Sequence, residues 1–402
     1  MTRRKTSPLS TTFSVAIAFV LVNSILAAPG SLDPTFGVGG SVVHNVGNAS
    51  VRKTILQADG KIVVVGSRKF VPRDPGAPSI DYVLVRRFWT NGVLDTTFAS
   101  VEGIGHDAEV QPDGKIVVAG TRLNSGRAAP GGSALPAPAV WRFNVNGSID
   151  TTFGEGGVRE LPLIAHGSVQ IEIFDSRIFI GYAAANPIPG TNFRYRISRL
   201  SPDGAVDLTR YPPYQFIVSE TAFAIRIDPL NGDIVAAGID ITTGDAVLRR
   251  YDKQGDLVAS FGERGQASIP DCSRTTAELF PKDVVILQDG KIKVLRFRGS
   301  GNTFVVVSLL NQNGWAEPSL CKSNYLPPAV GTTLFVQPDG KFFYYVGMVG
   351  GTIRFFADGT EDAIINHIAG HPSAIQPDQK IVAAWAEYPL YHTIRVERRL
   401  LD

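Results

Sequence analysis

A ten-residue phrase recurs along this 402-residue chain and constrains its fold more than any other feature. QPDGKIVVAG occupies 111–120, QADGKIVVVG begins at Gln57, and QPDGKFFYYVG begins at Gln337. Weaker echoes are NGDIVAAG from Asn231, LQDGKIKVL from Leu287, QPDQKIVAAW from Gln376 and FDSRIFIGY from Phe174. A phrase returning every few dozen residues means one supersecondary unit stacked on copies of itself, so one array can account for the whole length.

Each unit reads as strands. In the second, HDAEVQ and KIVVAG flank the turn PDG, where Asp-Gly suits positive φ and Pro112 fixes the approach. VWRFNV follows after a loop, then the turn Asn146-Gly147, then SIDTTFGEGGVREL as a fourth segment. The 41 glycines and 26 prolines agree with a turn-rich all-β chain. Four strands in an up-down meander make the blade of a β-propeller. The other units fit the template, but the last offers SAIQ, KIVAAW and TIRVERRL without a fourth strand. A near copy of the missing piece, SLDPTFGVGGSVV, stands at 31–43. The expectation is an all-β, seven-bladed β-propeller with four-stranded blades. Residues 31–43 would pair with 392–399 and leave no exposed edge.

The units resemble the delta-60 repeat family of bacterial propeller-like proteins. The matching residues are Leu32-Asp33-Pro34-Thr35-Phe36-Gly37, Leu94-Asp95-Thr96-Thr97-Phe98 and Ile149-Asp150-Thr151-Thr152-Phe153-Gly154, with the hairpins at 57–66, 111–120 and 337–347. The resemblance spans essentially all of the chain after residue 28. It implies an exported or surface-associated bacterial protein and supplies no catalytic residues. Asp175-Ser176-Arg177 and Asp378-Gln379-Lys380 depart from the pattern by lacking the turn glycine.

Residues 1–28 have the order of a secretory signal. Arg3, Arg4 and Lys5 precede an apolar run from Phe13 to Leu26, then Ala27 and Ala28. The run is shorter than the ~20 residues a bilayer-spanning helix needs. An uncleaved anchor is the alternative. The expected division is a signal peptide at 1–28 and one propeller domain at 29–402, secreted, periplasmic or on the cell surface. Taking the three cations of the signal from the chain's 39 leaves 36 basic residues against 37 acidic ones. Such a balance gives no reason to expect nucleic acid as a partner. Cys272 and Cys321 hold near-equivalent places in adjacent repeats, so a disulfide or two free thiols are both open.

Few motifs carry chemistry. Asp59, Asp113, Asp289 and Asp339 each sit in a separate hairpin, which suits turn formation and not a calcium cage of converging oxygens. Phe36, Phe98, Phe153 and Phe261 read as packing between blades. His106 and His371 share one repeat position and His166 falls near it, so with Asp107 they are candidates for a channel mouth. GxSxG, HExxH and GxxxxGK[ST] are absent from the sequence, and no cofactor or metal is expected.

The connections differ by face. Those between second and third strands are long in three adjacent units, at 68–80, 121–139 and 183–192, and short in units five and six. Arg68, Lys69, Arg73, Arg122 and Arg127 make that sector basic. Rigid scaffolds mount recognition elements on such loops. The function expected is therefore an exported, monomeric recognition or scaffold module that binds a protein or glycan through this face. The competing expectation is a propeller hydrolase or lyase working at the channel mouth.

Overall fold

The computed structural model describes residues 30–74, 76–123, 136–162, 165–184, 194–207, 224–240, 243–269, 280–297, 303–326, 334–337, 339–346, 351–357, 360–366, 371–387 and 392–400. The proposed signal segment, Cys272 and Arg127 lie outside them, as does the side chain of Cys321. Among the described residues the strands form seven antiparallel sheets, six of them meanders in chain order. The first is built on Ala49–Leu56, Ile62–Phe70, Ile80–Phe88 and Leu94–Thr97. The next five follow in sequence, and three strands of the third are described. The seventh joins His371–Ile375, Lys380–Ala386 and Thr393–Leu400 to Ser41–Asn45. Ser41 to Asn45 pair antiparallel with Glu397 to Thr393, and Leu32 bridges Arg399. The two distant ends of the chain thus meet in one sheet, as the sequence led us to expect. No helix of the described residues is long and apolar enough to cross a membrane.

The unbroken apolar run of each KIVVVG segment follows from burial on both faces. Side chains alternate along a strand, so neighbouring residues serve opposite sides. Val63 and Val65 pack with Ala108, Ile116 and Val118 of the second sheet. Ile62 and Val64 pack instead with Val382 and Val396 of the seventh. Likewise Val117 and Ala119 face Val169 and Ile171 of the third sheet. The pattern runs from sheet to sheet, through Phe335 of the sixth sheet against Ile381 and Ala383 of the seventh.

The LDxTFG segments are turns, not the strand starts expected, apart from Leu94–Thr97. Asp33 Oδ1 accepts from the Thr35 amide at 3.0 Å and the Thr35 hydroxyl at 2.7 Å, which bends the chain before a strand can form. Its other oxygen takes a charged bond from Arg398 Nε at 2.8 Å and pairs with Lys380 Nζ at 3.1 Å. The same guanidinium donates through Nη1 to the Thr90 carbonyl of the first sheet at 2.6 Å. It also lies 5.0 Å from the centroid of the Phe36 ring. The device recurs. Arg142 binds Asp150 at 2.7 Å, lies 4.7 Å from the Phe153 centroid, and reaches the Pro202 carbonyl of the third sheet. Arg199 pairs with Asp207 and donates to the Lys253 carbonyl of the fourth sheet at 2.8 Å. Arg250 reaches the Gln312 carbonyl of the fifth sheet at 3.0 Å, its charge met by Asp228 and by Asp233 at 2.8 Å. Each arginine therefore folds one sheet's turn and fastens it to the next.

The aromatic ring completes the joint. Phe153 is fully buried beneath Gly204 in the third sheet's turn, where φ is +84° and an added Cβ would come within 2.8 Å of the ring. Only glycine suits both conditions. The two hairpins without a turn glycine keep the left-handed backbone regardless. Asp175 and Ser176 have φ of 48° and 60°, and Gln379 has 61°. Side chains in that region cost on the order of 1–2 kcal/mol, which the surrounding sheet offsets.

Two outcomes test this account. Arg398→Ala should lower unfolding stability by about 1.5–3 kcal/mol, because it removes a charge-assisted bond to Asp33 and leaves Lys380 as that carboxylate's remaining cation; urea titration measures this. Burial alone would raise the Asp33 carboxyl, yet bonds from Thr35 and Lys380 and the charge of Arg398 hold it at about 2, against an ordinary 3.8. Its stabilising effect is thus complete above about pH 4 and lost as pH falls through about 2. Asp33→Asn should flatten that stretch of the stability–pH curve.

Candidate functional site

The leading strands of successive sheets lie against one another, which places their side chains around a common axis. Five of them bring ionisable groups there. Lys53 comes from Ala49–Leu56, Asp107 and Glu109 from Ile104–Val110, and Glu172 from Ala165–Phe174. Arg226 comes from Ala224–Ile227, and Lys282 and Asp283 from Phe280–Ile286. Lys53 Nζ lies 2.8 Å from Asp107, while Arg226 lies 3.2 Å from Glu172 and 2.7 Å from Asp283.

The two aspartates also hold backbone. Asp107 Oδ2 accepts from the Ile171 amide at 3.2 Å and Asp283 Oδ2 from the Leu334 amide at 2.9 Å, each in the following sheet. Gln170 does the same for Ile225 at 3.0 Å. These acceptors satisfy leading-strand amides that have no ladder partner on the axial side.

Bulges set the orientation of the outer residues. The pairing register slips by one residue at Arg52, at His106 and at Lys282, equivalent places in three leading strands. A bulge adds a residue and re-aims its side chain. His106 Nδ1 accepts from the Val169 amide at 3.1 Å, so its second sheet is latched to the third and the remaining ring nitrogen carries the proton. Burial, helped by the charge of Arg52 and opposed by Asp107, lowers this histidine to about 4. It is neutral at physiological pH.

The other axial groups are displaced by the same forces. Burial pushes Glu109 well above the ordinary carboxylate range, with Glu172 and Asp107 adding to the pull of desolvation against Lys53. Burial raises Glu172 as well, opposed by Arg226 and Lys53. Lys53 would be lowered by burial, but Asp107 and Glu109 raise it further than burial lowers it. The axis therefore holds two ion-paired cations and a carboxyl that keeps its proton near neutrality, a pattern suited to donating a hydrogen bond or a proton.

The sequence-selected residues divide between two places. His106 and Asp107 belong to the axial group. His166 and His371 lie on the leading strands Ala165–Phe174 and His371–Ile375, and their side chains are outside the described residues. The basic candidates sit on the connection side of the first two sheets. Ile62–Phe70 and Ile80–Phe88 stay paired as far as Phe70 and Ile80, so the long first connection is a hairpin arm. Arg68 lies 5.6 Å from the Tyr82 ring centroid, and Lys69 and Arg73 are exposed. Phe70 and Val71 beside them are 50% and 63% exposed. Arg122 is not an available charge, since Glu160 holds it at 3.0 Å. The hairpin aspartates accept from their own turns: Asp59 from the Lys61 amide at 3.2 Å, Asp113, Asp289 and Asp339 from the Lys115, Lys291 and Lys341 amides at 3.1 Å.

Sequence reasoning missed Lys53, Glu109, Glu172, Arg226 and Asp283. The available signal was a single charge inside an otherwise apolar leading strand, as in QIEIF and AIRI. Glu109→Gln should leave stability unchanged near pH 4 and raise it near pH 8. An upshifted carboxyl costs folding free energy only where the unfolded chain would ionise it. Thermal unfolding at the two pH values checks this.

Comparison with known proteins agrees with the geometry. Residues 57–98 and 111–153 match the model of a domain of unknown function (DUF5122) beta-propeller. No curated protein matches. The structure of a streptogramin B lyase aligns over 89% of this chain and 98% of its own, with 12% identity and a TM-score of 0.51. A protein of unknown function from Dyadobacter fermentans DSM 18053 aligns over 92% and 100%, with 12% identity and a TM-score of 0.46. Another from Bacteroides caccae aligns over 69% and 82%, with 12% identity and a TM-score of 0.40. At such identity the lyase speaks to fold alone. The chain is built of β-propeller repeats and has a β-propeller fold.

Proposed function

We propose that this protein is an exported, closed ring of seven blades that acts as a recognition or scaffold module. Its ligand, a protein or an anionic glycan, sits on the face carrying the long connections of blades one to three. The pairing of Ser41–Asn45 with Thr393–Leu400 and the unbroken succession of inter-sheet apolar clusters support the ring. The cationic and apolar start of the chain supports export.

One observation carries the recognition reading. The first hairpin arm presents exposed Phe70 and Val71 next to Lys69 and Arg73, on a rigid two-stranded stalk. Apolar side chains flanked by free cations favour an anionic partner with some apolar surface. The double variant Lys69→Glu/Arg73→Glu should weaken retention on immobilised acidic polysaccharide at least tenfold. Its thermal midpoint should stay unchanged, as exposed residues of this kind contribute little to stability. Undiminished retention would sink the reading.

A second reading, hydrolase or lyase chemistry on the axis, is favoured by the upshifted carboxyl of Glu109. The two separate cleanly. Activity lost in Glu109→Gln but kept in the arm variant would favour catalysis.

A further inference from the structure

The fifth sheet breaks the repeat in one place that the recognition face does not explain. Across the second and third strands, the others pair an apolar residue with an arginine: Val63 with Arg87, Val117 with Arg142, Phe179 with Arg199, Val235 with Arg250, Val382 with Arg398. The fifth sheet exchanges them and pairs Lys293 with Leu309. A cation now stands where Val63 and Val117 pack against the following sheet.

In the five sheets just named the inter-sheet arginine is neutralised by an aspartate of its own sheet. Here the fourth-strand carboxylate, Glu317, pairs with Lys291 at 3.2 Å instead. Lys293 is 2% exposed, and among the described residues no carboxylate forms an ion pair with it. Its ammonium rests 3.7 Å from the centroid of the Phe342 ring and 3.4 Å from the Gly340 carbonyl. Burial lowers it to about 8, opposed only by the charge of Asp289. A buried cation with so little compensation is costly, and the repeat shows that an apolar residue fits the position.

The arginine of the other third strands is replaced here by Leu309, and the phenylalanine that fills four of the joints, as Phe36, Phe98, Phe153 and Phe261, has no counterpart in this one. Between the fifth and sixth sheets lies a cleft of about 560 Å³ with Lys293 in its wall; Val285, Leu309 and Val336 line one part of it, and the charged Asp289, Glu317 and Asp339 line another. That volume falls within the range of small-molecule sites, in which apolar surface holds the ligand body and polar groups set its orientation.

We propose that this cleft binds a small amphipathic monocarboxylate, its apolar body against Val285, Leu309 and Val336 and its carboxylate paired with Lys293. The ligand supplies the counter-charge that Arg87, Arg142, Arg199, Arg250 and Arg398 each find in an aspartate of their own sheet. Such a site is independent of the hairpin arm of the first sheet.

Octanoate is a suitable probe, with octanol as the uncharged control, followed by isothermal titration calorimetry on the full chain. Octanoate should bind saturably, at least tenfold more tightly than octanol. Lys293→Met keeps side-chain volume and restores the apolar character of the other sheets. It should remove that tenfold preference and leave the thermal midpoint equal or higher. Val336→Trp, which fills the cleft and leaves the lysine in place, should abolish binding of both probes. Octanoate binding that is absent in the wild type, no tighter than octanol, or unchanged in either variant would overturn the proposal.

Discussion

The structure depends on one joint, in which an arginine of a third strand grips an aspartate in its own sheet and a carbonyl in the next. Arg398 with Asp33 and Thr90 shows it in full. The aspartate does two things at once. One oxygen bends the backbone through the threonine amide and hydroxyl; the other neutralises the guanidinium. A charged group can then be buried at the seam without the penalty an unpaired one would carry. The phenylalanine that directly follows the threonine fills the space under the next sheet's glycine. Local turn chemistry and long-range assembly are thus the same set of atoms.

That joint makes the axial arrangement possible. With the outer strands fastened, the leading strands meet near the axis and their amides on that side lack ladder partners. Side-chain acceptors from the neighbouring strand fill the gap: His106, Asp107, Gln170 and Asp283 each take an amide of the following sheet. Two of these acceptors are charged, and cations from other strands balance them. A polar, partly desolvated axis follows from the way the sheets must stack, and burial there raises the carboxyls of both Glu109 and Glu172.

Much of this was legible in the residues. The QPDGK hairpins, the double-sided apolar strands and the kinship of SLDPTFGVGG with the later TFG turns each rest on local chemistry that sequence spacing preserves. The motif itself was misread as the start of a strand. Nothing in the sequence links its Asp33 to an arginine 365 residues away. Spacing could not show that Arg122 of the basic sector is held by Glu160, which comes from a strand 38 residues on.

The amino-acid sequence alone determined the repeat unit, its turns and which strands are buried on two faces, since these follow from nearest-neighbour backbone preferences and side-chain alternation. Only the tertiary structure decided which charges are paired, which carboxyls burial raises and that, among the described residues, the buried Lys293 has no carboxylate in an ion pair with it. Those properties depend on distances between strands of different sheets, and the repeat leaves those distances open because its copies differ where they touch.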